Sequence, residues 1–149
     1  RDHHREFARV IDRSLHLNGR GLLHSIGQNR GVALNPWIEK RIFPGACPPR
    51  LSEVAALLEE RSFSVIDVEN LRLHYALTLE HWLQRFEGER ERVRAMFDER
   101  FVRTWRLYLA GSLAAFRTGE LQLYQVLFNR ESSNDVPWTR AGLYVDTPC

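Results

Sequence analysis

The segment Leu22-Leu23-His24-Ser25-Ile26-Gly27 carries an imidazole at the end of an apolar run and then turns at glycine. Such a run, preceded by Gly21, has the character of a strand covered on both faces of a sheet. Open α/β sheets collect ligands at the carboxyl ends of their strands, which is where His24 falls. As the chain leaves the strand, the backbone N–H groups of Ile26 and Gly27 are placed to meet a small anion. The plainer account of a histidine at this position is a hydrogen-bonded structural residue. A second polar group in the same pocket would decide between the two, and Tyr75, beside His74 on the apolar stripe of a later helix, is the residue to watch. Alone, an aromatic at helical spacing fills core space. Trp37, Phe43, Trp82, Phe101, Trp105 and Tyr108 form an aromatic set that either packs or walls a pocket suited to a long hydrocarbon.

Other chemistries find less support. In "RFEGERERVRAMFDERFVRTWR" the glutamates interleave with the arginines at three- and four-residue spacing, which marks a solvated helix laced with ion pairs and not a nucleic-acid surface. His3 and His4 are adjacent on a helix, so their side chains diverge, and nothing completes a metal-ligand set. Cys47 and Cys149 are too few and too far apart in context for a disulfide framework or a cysteine zinc site. "GRG" and "GACP" lack the strand-turn-helix setting of a nucleotide cradle.

The elements that would position these residues follow from spacing. Phe7, Val10, Ile11 and Leu15 mark a first helix, with Asn18-Gly19 as a left-handed stop. "GLLHSI" is a strand, and "NRGVALNPWIEKRIFPGACPPR", with four of the six prolines, is a long loop of the functional kind. Ser52 can cap a helix through about Glu60, with Val54, Leu57 and Leu58 facing inward. "SFSVIDVEN" is again a covered strand. A helix from Leu73 to Phe86 carries Tyr75, Leu79, Trp82, Leu83 and Phe86 on one stripe. A longer one from about Glu89 to Arg117 turns Val93, Phe97, Phe101, Tyr108, Leu109 and Phe116 inward, and "ELQLYQVLFN" is a third strand. Helices alternating with strands predict an α/β fold.

At 149 residues the chain fits one domain, and 44% hydrophobic with 27% charged residues is a globular composition. The net charge of +2 dictates no polyanion partner. Apolar runs stop far short of a bilayer span and no signal-peptide pattern opens the chain, which points to an intracellular protein. It begins with Arg1, as a piece of a longer protein would.

Four blocks carry a resemblance: "FARVIDRSLHLNGRGLLHSIG", "NPWIEKRIFPGACPPRLSEV", "VENLRLHYALTLEHWLQRF" and "LQLYQVLF". In this order and spacing, from Phe7 to Phe128, the chain resembles the C-terminal half of the cyclopropane-fatty-acyl-phospholipid synthases. With the mycolic acid cyclopropane synthases, these are class I S-adenosylmethionine-dependent methyltransferases. The resemblance implies the C-terminal part of a Rossmann-like fold, three strands with flanking helices, residues 1–149 forming a portion of one methyltransferase domain and residues 71–118 a helical lipid-binding insertion.

The resemblance also implies an activity. A methyl group of S-adenosylmethionine adds to a cis double bond of a phospholipid acyl chain, and a proton is lost to a bound bicarbonate ion as the cyclopropane ring closes. By match of position, His24, the N–H of Ile26 and Tyr75 would hold the bicarbonate, and Phe43, Trp82, Phe101 and Tyr108 would line the substrate channel. No cofactor-binding or metal-binding residue is expected in this chain, because the family's glycine-rich loop, ribose-binding acid, glutamate and one cysteine match positions before Arg1. The isolated piece is accordingly expected to be inactive. The family is cytoplasmic and peripheral to the inner face of the membrane, which makes membrane phospholipid the expected partner and leaves oligomerisation open. Methyl branching of fatty acids, methylation of small-molecule amines, and a non-catalytic lipid- or protein-binding remnant are the alternatives.

Overall fold

The computed structural model describes residues 2–143 and, with their side chains, residues 4–141; Cys149 and the side chain of His3 lie outside these. Three strands form one sheet: β1 (Arg20–Gly27), β2 (Phe63–Asn70) and β3 (Gln122–Arg130), in the order β1-β3-β2. The last strand in sequence is the central one. It runs antiparallel to both neighbours, with Arg20 opposite Asn129 and Gly27 opposite Gln122. β1 and β2 are therefore parallel to each other and end at the same rim.

The two faces of β3 feed two cores. Tyr124, Val126 and Phe128 pack with Phe63, Val54 and Leu58 under α1 (Asp2–Ser14) and α3 (Leu51–Glu59), joined by Ile11, Leu15 and Leu23. On the opposite face Leu123 and Ile26 meet α4 (Arg72–Gly88) and α6 (Glu99–Thr118) through Ala76, Leu79, Leu109, Leu113 and Phe116. This alternation is the period of two that a pleated strand imposes. Close packing also explains Gly21, where a Cβ would sit 2.2 Å from the Phe128 ring.

Several boundaries differ from those expected from the sequence. The helix predicted from Glu89 to Arg117 is two: α5 (Arg90–Met96) and α6. Asp98 breaks the run because its extended backbone lets its carboxylate accept the Phe101 N–H at 2.6 Å, a side-chain cap that a continuous helix has no use for. The break resets the register, so α6 buries Val102, Leu109, Leu113 and Phe116, while Phe97 stays 58% exposed. The first helix ends at Ser14, without a left-handed Gly19. Its last carbonyls are bound instead by Arg130, which donates to the Asp12 carbonyl at 2.5 Å and the Leu15 carbonyl at 3.0 Å and pairs with the Asp12 carboxylate. α3 begins one residue before Ser52, the Glu53 carboxylate accepting the Arg50 N–H at 2.8 Å. The proline-rich loop contains a short helix, α2 (Pro36–Arg41), started by Asn35, whose side chain accepts the Trp37 N–H.

β1 is covered on one face, not on both: Leu22 is 58% exposed and His24 is exposed. Among the described residues β1 is also an edge strand. The Leu71 N–H donates to the Leu123 carbonyl, so Leu123 turns its peptide groups toward β2. Its partner on β1, Ile26, is then a non-hydrogen-bonded pair, and by alternation Leu22, His24 and Ile26 all turn their peptide groups to the free edge.

Two outcomes are expected. Leu79→Ala, at a side chain with no exposure, should cost about 2–5 kcal/mol, whereas Leu77→Ala on the exposed side of the same helix should stay within about 0.5 kcal/mol; thermal melts of both variants measure the contrast. Because an unpaired edge and an uncovered apolar face favour pairing with another chain, the isolated 149-residue polypeptide should associate in sedimentation velocity. A monodisperse, cooperatively melting monomer would contradict that.

Candidate functional site

One large cavity, of about 790 Å³, opens between the uncovered face of β1, the helices α4 and α6 and the loop that leaves β1. A volume in this range suits a small molecule or part of a lipid chain. β1 contributes His24, Ser25 and Ile26, α4 contributes Tyr75 and Leu79, and α6 contributes Tyr108, Ser112 and Phe116. The loop closes it with Val32, Trp37, Ile38 and Phe43.

The loop is held in place by hydrogen bonds between its two ends, made by Gln28 just after β1, and by one from β3. Gln28, almost fully buried, donates from its backbone to the Pro49 carbonyl at 3.1 Å and from its side chain to the Pro48 carbonyl at 2.9 Å. The Tyr124 hydroxyl donates to the Asn29 side chain at 2.9 Å. Phe43 then meets Tyr108 edge to face with ring centroids 5.9 Å apart, so the loop and α6 touch across the cavity.

Tyr75 is set by two rings, Phe116 at 4.9 Å and Trp82 at 6.1 Å, both edge to face. Burial pushes its phenol above the ordinary value. The Tyr108 phenol is raised as well, first by burial and then by the nearness of Tyr75, against the opposing hydrogen bond with Ser112. Both phenols keep their protons at neutral pH and can donate. The peptide N–H of Ile26 is turned to the free edge of the sheet, and His24 sits two residues earlier on the same strand face.

Of the residues singled out in the sequence, His24, Ile26, Tyr75, Phe43 and Tyr108 line this one cavity. Trp82 and Phe101 do not. Trp82 is 41% exposed behind Tyr75, and Phe101 lies within a stack of rings on α6, between Phe97 at 4.2 Å and Trp105 at 6.0 Å. Phe101 shares a side of α6 with Tyr108 but lies two turns nearer the start of the helix, away from the residues that line the cavity. Sequence reasoning missed Gly111, Ser112 and Ala115, which line the cavity because they are small. A Cβ at Gly111 would have nothing within 4 Å. The signal was a run of small residues in an otherwise bulky helix, where glycine carries a cost of about 1 kcal/mol relative to alanine.

Among the described residues no helix is long and apolar enough to cross a membrane, and no group of three or more His, Cys, Asp or Glu side chains is placed to hold a metal ion.

The family described as "Mycolic acid cyclopropane synthetase" matches residues 1–126. A probable fatty acid methyltransferase of Pseudomonas putida is 39% identical over 124 residues, covering 81% of this chain and 32% of its own length. The cyclopropane-fatty-acyl-phospholipid synthase of Escherichia coli K12 is 36% identical over 126 residues, 84% of this chain and 33% of its own length. The chain thus spans about a third of the curated relatives it matches. A crystal structure of a mycolic acid cyclopropane synthase complexed with SAH and CTAB superposes with a TM-score of 0.79 at 25% identity, over 87% of this chain and 50% of that one. The α/β fold expected from the sequence is the fold of these enzymes. With four-fifths of its length aligned to such relatives, the chain belongs to the mycolic acid cyclopropane synthetase family of S-adenosylmethionine-dependent methyltransferases.

Proposed function

We propose that this chain is the lipid-handling part of a methyltransferase that acts on a cis double bond of unsaturated phospholipid acyl chains and forms cyclopropane fatty acids. One observation carries the proposal: His24, Ile26 and Tyr75, from a strand and from a helix about 50 residues further on, share the wall of one apolar cavity. When bound, S-adenosylmethionine supplies an activated methyl group. The residues that hold it are assigned to a part of the domain outside this chain, in which no glycine-rich strand-to-helix loop occurs.

The chemistry demands what the cavity walls supply. After methyl addition the alkene carbon carries positive charge, which water would capture, so the chain must lie in a dry apolar site. Loss of a proton from the added methyl group and closure of the new carbon–carbon bond complete the ring. The proton needs an acceptor within hydrogen-bond reach. A small anion such as bicarbonate fits the donors present, namely the imidazole of His24, the free N–H of Ile26 and the protonated phenol of Tyr75. Phe43 and Tyr108 line the same space, where aromatic rings can steady passing positive charge. Proximity to a long alkyl chain is supported by the related synthase crystallised with the detergent CTAB. A second outcome, methyl branching without ring closure, is favoured by the similarity to the Pseudomonas putida fatty acid methyltransferase. The two differ in where the proton is lost, not in how the chain is held.

Expression of the whole gene in a bacterium lacking cyclopropane fatty acids, followed by mass spectrometry of its lipids, tests the proposal. Ring-containing acyl chains are expected, branched chains would favour the second outcome, and an unchanged lipid profile would refute both. In that protein His24→Ala and Tyr75→Phe should each lower kcat about 100-fold or more, with little effect on donor affinity, since general-base assistance contributes on this scale. Rates near wild type would remove the anion site. Gly111→Leu should project into the cavity without loss of fold and raise KM for the lipid by at least about tenfold in steady-state assays.

A further inference from the structure

We propose that the outer face of α6, with the α5–α6 junction, is the surface that rests on an anionic phospholipid bilayer; this rests on the lipid function proposed above and says where the substrate is met. Apolar side chains cluster there in the open: Met96 is 66% exposed, Phe97 58%, Leu107 57% and Trp105 37%. Their arrangement is directional. Phe97 and Phe101 stack at 4.2 Å, Phe101 and Trp105 at 6.0 Å, Trp105 and Tyr108 lie at 5.0 Å, and Tyr108 meets Phe43 at 5.9 Å. A continuous row of rings thus runs from the exposed junction to the cavity wall, which Leu107 and Tyr108 also line.

Charge on this face is one-sided. Glu99 is taken up by Arg90 and Arg94, and Asp98 caps the helix. Glu87 and Glu91 pair with Arg106 and Arg94. Arg100 and Arg103, both exposed, make no ion pair among the described residues and share one side of α6 with Leu107 at the spacing i, i+3, i+7. Free guanidinium groups on the side of α6 that adjoins the row of aromatic rings match the interfacial zone of a bilayer, where phosphates lie above acyl chains and aromatic side chains accumulate. A water-insoluble acyl chain must be drawn from such a surface, and the ring row leads from it to the cavity.

The test is co-sedimentation of the purified protein with vesicles of phosphatidylcholine alone or mixed with phosphatidylglycerol. The wild type should bind the mixed vesicles more tightly, and added salt should weaken that binding. R100E/R103E should weaken binding to the mixed vesicles about tenfold or more, and F97S/W105S should weaken binding to both compositions. R100Q/R103Q should give an intermediate loss, with circular dichroism confirming that every variant is folded. Failure of the wild type to bind the mixed vesicles, variants that bind like the wild type, or binding of an acidic carrier protein in place of vesicles would overturn the proposal. Methylation assays separate it from the function itself. R100E/R103E should slow turnover of lipid in vesicles but not of lipid dispersed in detergent. Undiminished turnover in vesicles would refute the surface and leave the activity intact, whereas absent turnover on any lipid with the binding contrast preserved would refute the activity and leave the surface standing.

Discussion

Arg72 joins the start of α4 to the end of α6, its guanidinium donating to the carbonyls of Phe116 at 2.6 Å and Arg117 at 2.9 Å. Those are the carbonyls that a helix terminus leaves without partners. The excursion that begins after β2 and returns before β3 is thereby closed at its base. Neighbouring bonds tighten the closure: Asn70 donates to Gln122 at 2.9 Å, Gln122 donates to the Gly119 carbonyl at 2.7 Å, and the Asn70 side chain accepts the Arg72 N–H at 3.0 Å. Gly119 ends α6 in a left-handed conformation, φ 83°, that few other residues adopt without strain. With both feet of the excursion fixed on adjacent strands, α4 and α6 pack along their length, and the sides they leave free face β1. The meeting of Tyr75 with the strand of His24 is a product of that closure.

The cavity exists because packing is incomplete by design of side-chain size. α6 alternates large residues that seal the core, such as Leu109, Leu113 and Phe116, with Gly111, Ser112 and Ala115 on the adjoining face. The second set borders the empty space, together with Phe116 at the edge of the first. The loop after β1 supplies the remaining wall, and it is held by polar bonds from Gln28 and by the ring contact of Phe43, not by a deep core of its own.

Much of this was legible in the sequence. β2 and β3 announce themselves by β-branched and aromatic runs and β1 by a short apolar run after glycine, and the α4 stripe of Leu79, Leu83 and Phe86 is a helical period with a core behind it. His24 and Tyr75 were identifiable as a pair through the resemblance, and periodicity alone would have left both as structural residues. Three things were hidden, each for a physical reason. Asp98 is compatible with a helix interior until its carboxylate caps the next helix, so the α5–α6 break and the exposure of Phe97 could not be read from spacing. Arg130 replaces the expected glycine stop of α1 from more than 100 residues away, a contact with no local signature. The exposed face of β1 looks covered in sequence, because Leu22 and Leu23 are both apolar while only one of them packs.

The order of the strands has a consequence for biosynthesis. β3 pairs with both neighbours, yet it is made last, after β1 by roughly 100 residues and after β2 by more than 50. Until it emerges from the ribosome, neither β1 nor β2 has a partner among the described strands, and closing contacts so distant along the chain is slow. A nascent chain of this kind passes through a stage of helices and unpaired strands that is open to chaperones and to aggregation. A stop codon anywhere before Gln122 would remove the strand on which the other two depend.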